Sequence, residues 1–143
     1  MFLGEFEHIL DDKGRVAIPA RYRESLGMRF VLTKGFDECL QAFPQPMWDA
    51  LAAKIDRLPI GSPQVRHARR FIFAAAAEVE FDRQGRILIP QNLRDYAGLV
   101  QEVVVTGMNS YFELWSAQRW RSLQEELNGS GTSIAEQMAD LGI

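Results

Sequence analysis

A motif that occurs twice constrains the fold more than any other feature of the sequence. DDKGRVAIPARYRESLG occupies residues 11–27, and DRQGRILIPQNLRDYAG occupies residues 82–98. Each copy has an aspartate, two variable residues, a glycine and an arginine, followed by a short alternating run, a proline and a later glycine. Self-similarity at a fixed offset indicates repeated structural units. The chain is therefore predicted to contain two copies of one small unit.

The similarity continues beyond the motif once a single inserted residue is allowed. The further aligned pairs are Gly35 with Gly107, Leu40 with Phe112, Phe43 with Trp115, and Trp48 with Trp120. This alignment predicts a first unit over residues 1–58 and a second over 76–127. A linking helical segment is predicted over 59–75, and an acidic tail over 128–143.

Both units share one predicted order of elements: strand, tight turn, short strand, short helix, strand pair and amphipathic helix. Gly14 can adopt the positive φ that a tight turn requires. Val16 and Ile18 alternate onto one face of the short strand, and Pro19 ends that strand and suits the first turn of a helix. The predicted fold class is α+β.

The segments outside the two units are predicted to be partly helical. Ser62 can cap, and Pro63 can begin, a helix that continues to about Ala75. Three arginines of that helix form either a solvated face or part of a surface for anions or another subunit: Arg66, Arg69 and Arg70. The tail is predicted to begin flexibly at Asn128. It then forms a short helix through Ile134, Met138 and Leu141.

The size of the unit predicts that the two copies pack together. A unit of about 55 residues with two hairpins cannot bury much core alone. Two tandem copies can bury each other, which predicts an intramolecular pseudo-dimer with approximate two-fold symmetry. Large aromatic residues are predicted to supply the shared core: Phe36, Phe43, Trp48, Tyr111, Phe112, Trp115 and Trp120.

Charge is distributed unevenly along the chain. The net charge is −3, with 16 Lys and Arg against 19 Asp and Glu. Residues 1–111 carry 14 of each sign, whereas residues 112–143 carry two Arg and five acids. Any basic face must therefore come from the spatial arrangement of the first 111 residues rather than from an overall excess.

Few residues outside the motif carry recognisable chemistry. Cys39 is the only cysteine, which excludes an internal disulfide and agrees with a reducing cytosol. His8 and His67 lack partners at metal-ligand spacing. Acidic residues stand where an export signal would have basic ones, and no apolar run approaches a membrane span. There is no glycine-rich phosphate loop and no nucleophile beside a base. The sequence predicts a cytoplasmic non-enzyme without metal or cofactor.

The repeated turn is the candidate functional site. Asp11 with Arg15, and Asp82 with Arg86, can pair in a bidentate geometry across a tight turn in which Gly14 and Gly85 permit the bend. Four basic residues would then lie on one protruding edge: Lys13, Arg15, Arg83 and Arg86. Arginine suits phosphates and guanine, and a two-stranded ribbon fits the DNA major groove. From the residues alone, the ion pairs could equally be structural staples and nothing more.

The chain resembles the MraZ family, in the swapped-hairpin superfamily that includes AbrB-type transition-state regulators and MazE-type antitoxins. The resemblance covers nearly all of it, from MFLGEFEHILDDKGRVAIPARYRESLG through DRQGRILIPQNLRDYAGL to FELWS. It implies two AbrB-like swapped-hairpin units with peripheral helices. The doubled Asp-x-x-x-Arg signature is present in full, although Lys13 aligns with Gln84 and the second turn has a basic residue at Arg83.

The resemblance also implies a function. MraZ proteins are bacterial DNA-binding regulators of the division and cell wall gene cluster that begins with their own gene. They bind repeated promoter sites, form rings of several subunits and associate with the nucleoid. The conserved arginine maps here to Arg15 and Arg86. The implied partners are double-stranded DNA and other copies of the chain, with no membrane and no small-molecule substrate.

Two alternatives belong to other functional classes. Related folds act as antitoxins that bind a protein toxin, usually through an extended C-terminal tail, whereas the tail here is short and acidic. A ring-forming scaffold without a nucleic-acid role is the second alternative, and the nearly neutral charge is its best support.

Overall fold

A computed structural model describes all residues, 1–143, as an α+β fold of eight strands and six helices. The strands are β1 (Glu5–Ile9), β2 (Arg15–Ala17), β3 (Arg29–Lys34), β4 (Leu40–Phe43), β5 (Ala77–Glu80), β6 (Arg86–Leu88), β7 (Glu102–Gly107) and β8 (Phe112–Ser116). The helices are α1 (Ala20–Leu26), α2 (Gln45–Asp56), α3 (Pro63–Ile72), α4 (Gln91–Ala97), α5 (Ala117–Gly129) and α6 (Gly131–Asp140). The order of elements in residues 5–56 recurs in residues 77–129, which confirms the predicted fold class and the tandem units.

Strands pair mainly between the two units. One sheet has six strands in the order β1-β7-β8-β4-β3-β5, and a separate two-stranded ribbon joins β2 to β6. Only β3–β4 and β7–β8 are hairpins within a unit, whereas β1 pairs with β7, β5 with β3, β4 with β8, and β2 with β6. The flanking strands of each unit therefore complete the other unit, and neither half can make its full set of backbone hydrogen bonds alone.

The central strands are buried on both faces. β3 and β7 each have four successive buried residues, instead of the alternation expected of a half-exposed strand. Phe30 and Leu32 of β3 face the main cluster of 21 buried residues. On the other face of the sheet, Val104 and Trp115 pack in a smaller cluster with Ala117 at the start of α5. Helices and loops thus cover both sides of the sheet.

The core differs in part from the predicted aromatic set. Phe43, Phe112 and Trp115 are buried as predicted, but Trp48, Tyr111 and Trp120 are only half-buried. Phe36 was wrongly placed in the core, since it is 71% exposed in the β3–β4 turn.

The centre of the core is instead an aromatic cluster around Tyr22. The rings of Phe2 and Phe112 lie 5.0 and 5.2 Å from that of Tyr22, and the Tyr22 hydroxyl donates to the Leu3 carbonyl at 2.8 Å. Phe30 lies 5.5 Å from Phe112. The hydroxyl has a partner, so the whole tyrosine can be buried without leaving a polar group unsatisfied.

The helices outside the sheet correspond to most of the predicted ones. α3 begins at Pro63 but ends at Ile72, before the predicted Ala75, and the buried Thr33 hydroxyl donates to the Ile72 carbonyl. α5 continues to Gly129, so the segment at Asn128 that was predicted to be flexible is helical. α6 follows after Ser130 and has no buried residue. None of the six helices combines the length and the hydrophobicity that a membrane crossing requires.

One carboxyl group lies in the smaller buried cluster. Glu113 accepts hydrogen bonds from the Trp115 indole, at 3.0 Å, and from the Cys39 thiol, at 3.6 Å. Burial raises the pKa of Glu113, and it also raises the pKa of Cys39 to about 12. The thiol therefore remains protonated and able to donate at neutral pH.

The raised pKa of Glu113 predicts a specific pH dependence of stability. The protonated Glu113 carboxyl contributes fully to the free energy of unfolding below the unfolded pKa of about 4.3. That contribution is lost as the pH rises through the higher folded pKa. We expect Glu113→Gln to gain stability relative to the natural chain as the pH rises above about 4.3 and through the folded pKa, as measured by urea unfolding. The exposed Glu125→Gln is the matched control and should show no such trend. Parallel pH profiles for Glu113→Gln and the natural chain would contradict the prediction.

Candidate nucleic-acid interface

The first turn is closed by its own aspartate. Asp11 Oδ1 accepts the backbone N–H groups of Lys13 and Arg15 at 2.9 and 2.8 Å, and Oδ2 accepts Arg15 Nε at 2.9 Å. The Arg15 guanidinium thus uses one nitrogen for Asp11, instead of the two expected of a bidentate pair, because the other carboxylate oxygen is occupied by the backbone. The Asp11 backbone N–H also donates to the Arg15 carbonyl at 2.9 Å.

The second turn repeats this geometry. Asp82 Oδ1 accepts the N–H groups of Gln84 and Arg86, both at 2.9 Å, and Oδ2 accepts Arg86 Nε at 3.0 Å. Hydrogen bonds from the backbone N–H of the motif arginine are the main cause that lowers the pKa of Asp11 and of Asp82. This stabilisation is present above the unfolded pKa of about 3.9 and is lost as the pH falls through the lower folded values.

The ribbon brings the two turns together. β2 and β6 are antiparallel, with Arg15 opposite Leu88, Val16 opposite Ile87 and Ala17 opposite Arg86. Val16 and Ile87 are buried, so the alternating motif arginines lie on the opposite, outer face. Arg86 Nη1 also approaches Asp11 Oδ2 at 3.5 Å, which links the turns of the two units directly.

The predicted site residues occupy one edge of the molecule. The backbone carbonyls of Gly14 and Gly85 accept the N–H groups of Ile89 and Ile18 at 2.9 and 3.2 Å, so each turn is tied to the other unit's strand. Lys13 and Arg83 are exposed within the turns, while Arg15 and Arg86 are half-buried on the ribbon. The eight predicted motif residues therefore belong to two adjoining turns: Lys13, Arg15, Arg83, Arg86, Asp11, Gly14, Asp82 and Gly85.

Two arginines of this edge were not predicted to belong to the site. Arg23 of α1 lies over Gly85, and Arg94 of α4 lies over Gly14, each across the boundary between units. Arg94 Nε donates to the Ile89 carbonyl at 2.9 Å. Their equivalent positions in the repeat were the one sequence signal that could have identified these arginines. A helical arginine is usually solvated, however, and only the exchange of strands places each arginine over the turn of the other unit.

Gly14 is predicted to be more sensitive to an added side chain than Gly27. Its φ is +85°, and a Cβ at this position would lie 2.6 Å from Cζ of Arg94. Gly27, with φ +73° and no atom within 4 Å of its Cβ position, is a control that carries backbone strain alone. We expect Gly27→Ala to cost about 1–3 kcal/mol, and Gly14→Ala about 1 kcal/mol more because it displaces the Arg94 hydrogen bond. Thermal or urea unfolding measures both.

A double substitution tests the cause of that difference. In an Arg94→Ala background, Gly14→Ala should add no more than Gly27→Ala adds, because the overlapping guanidinium has been removed. An unchanged excess cost of Gly14→Ala in that background would show that Arg94 is not responsible.

Comparison with known proteins places these features in a family. A sequence model of the family described as "MraZ protein, putative antitoxin-like" matches residues 1–71 and 72–141, so the two matches cover the two halves of the repeat. A protein of Acetivibrio thermocellus named "Transcriptional regulator MraZ" is 52% identical over 143 residues, which is 100% of each chain. Proteins of the same name from Thermomicrobium roseum and Roseiflexus castenholzii are 52% and 48% identical over 141 residues, or 99% of each chain.

Proposed function

The chain belongs to the MraZ family of transcriptional regulators, and from this premise we propose that it binds promoter DNA through the β2–β6 ribbon. Its target is the promoter of the bacterial division and cell wall gene cluster, at short repeated sites. One observation carries the proposal: the exchange of strands sets Arg15 and Arg86 on the same outer face of one ribbon, with Lys13 and Arg83 beside them in the turns.

The dimensions and chemistry of the ribbon suit the DNA major groove. That groove is about 12 Å wide and admits a two-stranded ribbon. Arginine donates to the O6 and N7 acceptors of guanine, while exposed lysine and arginine side chains suit phosphates. In this proposal Arg15 and Arg86 contact base edges, and Lys13 and Arg83 contact the backbone. The aspartates hold the arginines in place and are not themselves ligands.

The balance of charge favours binding by several subunits together. A chain with net charge −3 and one basic edge makes few phosphate contacts. A ring of subunits on regularly spaced repeats converts weak contacts into high affinity, because every contact after the first is intramolecular. Association with the nucleoid in the cytoplasm follows from the same proposal.

The sequence indicated ring contacts through the linking and closing helices, with Ile72, Phe73 and the outer face of 46–58 as candidates, and the structure removes Ile72 from this set. Ile72 is buried within the chain, and Phe73 packs against Trp48 at 5.7 Å between the ring centroids. Ile72 is therefore unavailable to another subunit. α6 buries no residue, and Leu141 directly after it is 77% exposed. We assign the ring contacts to surfaces that include α6.

The proposal is tested with DNA from upstream of the gene. We expect tight binding to the repeated site, weaker binding to a scrambled sequence of equal length, and a steep fall in affinity between 50 and 200 mM salt. Light scattering at micromolar concentration should give the mass of an oligomer. An oligomer that binds neither the repeated site nor the scrambled sequence would contradict the proposal and favour the scaffold alternative. A strict monomer would remove the basis for multivalent binding.

A further inference from the structure

A cleft lies beside the second turn. It occupies about 320 Å³ between the end of α1 and the turn at residues 82–86. Its charged lining residues are Arg23, Arg83, Glu80 and Asp82. Two guanidinium groups from different units therefore face one space at the edge assigned to DNA.

The guanidinium of Arg23 is not held by the protein as that of Arg94 is. Arg94 Nε donates to the Ile89 carbonyl at 2.9 Å, whereas the buried Nε of Arg23 has no hydrogen-bond partner within the chain. That Nε is enclosed by the protein, so an acceptor from outside the chain must bind the terminal Nη groups of this half-buried side chain.

Sequence differences at equivalent positions make the surroundings of the two turns unequal. Gly85 and Gly14 are equivalent, and at the same offset Arg83 corresponds to Asp12, Met28 to Leu99, and Glu80 to Ile9. Met28 is 86% exposed, whereas Leu99 is 5% exposed and fills the corresponding space at the end of α4. The first turn thus has an acid where the second has Arg83, and a packed leucine where the second has an open cleft.

The carboxylates that line the cleft do not cancel its basic character. Asp82 is engaged by Arg86 at 3.0 Å and by two backbone N–H groups. Glu80 is exposed at the end of the edge strand β5, where solvent screens its charge. Arg23 and Arg83 consequently remain the groups able to bind an anion.

We propose that the Arg23–Arg83 cleft binds one phosphate group of the DNA backbone, once per chain. The inference rests on the proposed function and extends it to the polarity of binding. The two turns then contact DNA unequally, since only the second turn has a phosphate site beside it. Each subunit should accordingly lie on its DNA repeat in one orientation, despite the two-fold pattern of the motif arginines.

The test replaces single phosphates by uncharged methylphosphonates, one position at a time, on each strand of the repeated site. For the natural chain we expect an affinity loss at one position that has no counterpart at the two-fold-related position on the other strand. Arg23→Ala should lose affinity for the unmodified DNA and become insensitive to methylphosphonate at that position. Its plot of log affinity against log salt should flatten by about 0.9 per bound subunit.

Two further variants control for charge and for geometry. Arg21→Ala removes the same charge from an exposed position on the same helix and should keep the sensitivity to that phosphate. Arg23→Lys should restore part of the affinity, since the amine can still contact a phosphate.

A separate measurement adds inorganic phosphate in place of chloride at equal ionic strength. Stronger competition against the natural chain than against Arg23→Ala would show that the cleft also takes free phosphate.

The outcomes separate this inference from the proposed function. Binding of DNA with equal losses at the two-fold-related positions, or an Arg23→Ala variant that keeps the sensitivity of the natural chain, would overturn the phosphate site and leave the ribbon proposal intact. Failure of the natural chain to bind DNA would overturn both.

Discussion

Replacing Arg15 or Arg86 by alanine should lower the affinity for promoter DNA at least tenfold at constant salt. Each arginine that donates two hydrogen bonds to guanine contributes about 1–3 kcal/mol of discrimination, and an oligomer repeats the loss in every subunit that it engages. Fluorescence anisotropy with labelled upstream DNA measures the effect. Discrimination against a scrambled sequence should fall with affinity, because the lost contacts are those that distinguish bases.

A matched substitution controls for the change in charge. Arg57→Ala removes one positive charge from an exposed site at the end of α2, outside both turns. It should change DNA affinity little and leave sequence discrimination unaltered. An equal loss from Arg57→Ala and Arg15→Ala would mean that net charge, rather than the ribbon, governs binding.

Substitution of Asp11 separates a DNA-contacting arginine from a structural staple. Asp11→Ala breaks the same 2.9 Å ion pair as Arg15→Ala, and also the 3.5 Å contact with Arg86, but it removes neither arginine side chain from the ribbon. If the arginines contact DNA, Asp11→Ala should cost much less affinity than Arg15→Ala. Equal losses, accompanied by equal losses of stability, would show that Arg15 only holds the turn. Urea unfolding and light scattering should accompany both variants.

Phe112→Ala should lower the free energy of unfolding by about 3–5 kcal/mol, as large-to-small changes of buried aromatic residues do. Phe112 is fully buried, and its ring lies 5.2 to 5.5 Å from those of Phe2, Tyr22 and Phe30. Those three rings belong to the first unit, so the cavity would open at the boundary between the units. Whole domains are stable by only about 5–15 kcal/mol, so this loss is a large fraction of the total.

The control for this prediction is the exposed Phe36. Phe36→Ala removes the same side chain from a site that is 71% exposed and should change stability by less than about 0.5 kcal/mol. Unfolding of the natural chain followed by tryptophan fluorescence and by circular dichroism should give coincident transitions, because each unit supplies strands to the other. A substitution at Phe112 that destabilised only one half, seen as two separate transitions, would contradict a shared core.

Several features followed from local sequence pattern because their causes are local. The turn at residues 11–15 depends on an aspartate, a glycine and an arginine within five positions, and the structure shows these residues bonded to one another. The same reasoning applies to the second turn. The start of helix α3 could be predicted from Pro63, since the start of a helix is set by its own first residues. Ser62 occupies the cap position, but its side chain makes no capping hydrogen bond.

The core residues could be predicted only in part, because burial depends on which segments meet. Phe36 and Phe112 are the same amino acid, yet Phe36 lies exposed on a turn and Phe112 lies buried on a central strand. Tyr22 carries a polar hydroxyl and was not predicted to be central. It is buried because the chain brings the Leu3 carbonyl within 2.8 Å of that hydroxyl.

The sequence by itself determined that the chain consists of two related units, and that each unit closes a turn with an aspartate and places an arginine after it. The tertiary structure decided which strands are exchanged, and hence that Arg15 and Arg86 share one ribbon face. It also decided that Arg94 Nε donates to the Ile89 carbonyl whereas its repeat equivalent, Arg23 Nε, has no partner. Hydrogen bonds within a turn join neighbouring residues and leave a pattern in the sequence, whereas pairing between units joins residues about 70 positions apart and depends on the packing of the whole core.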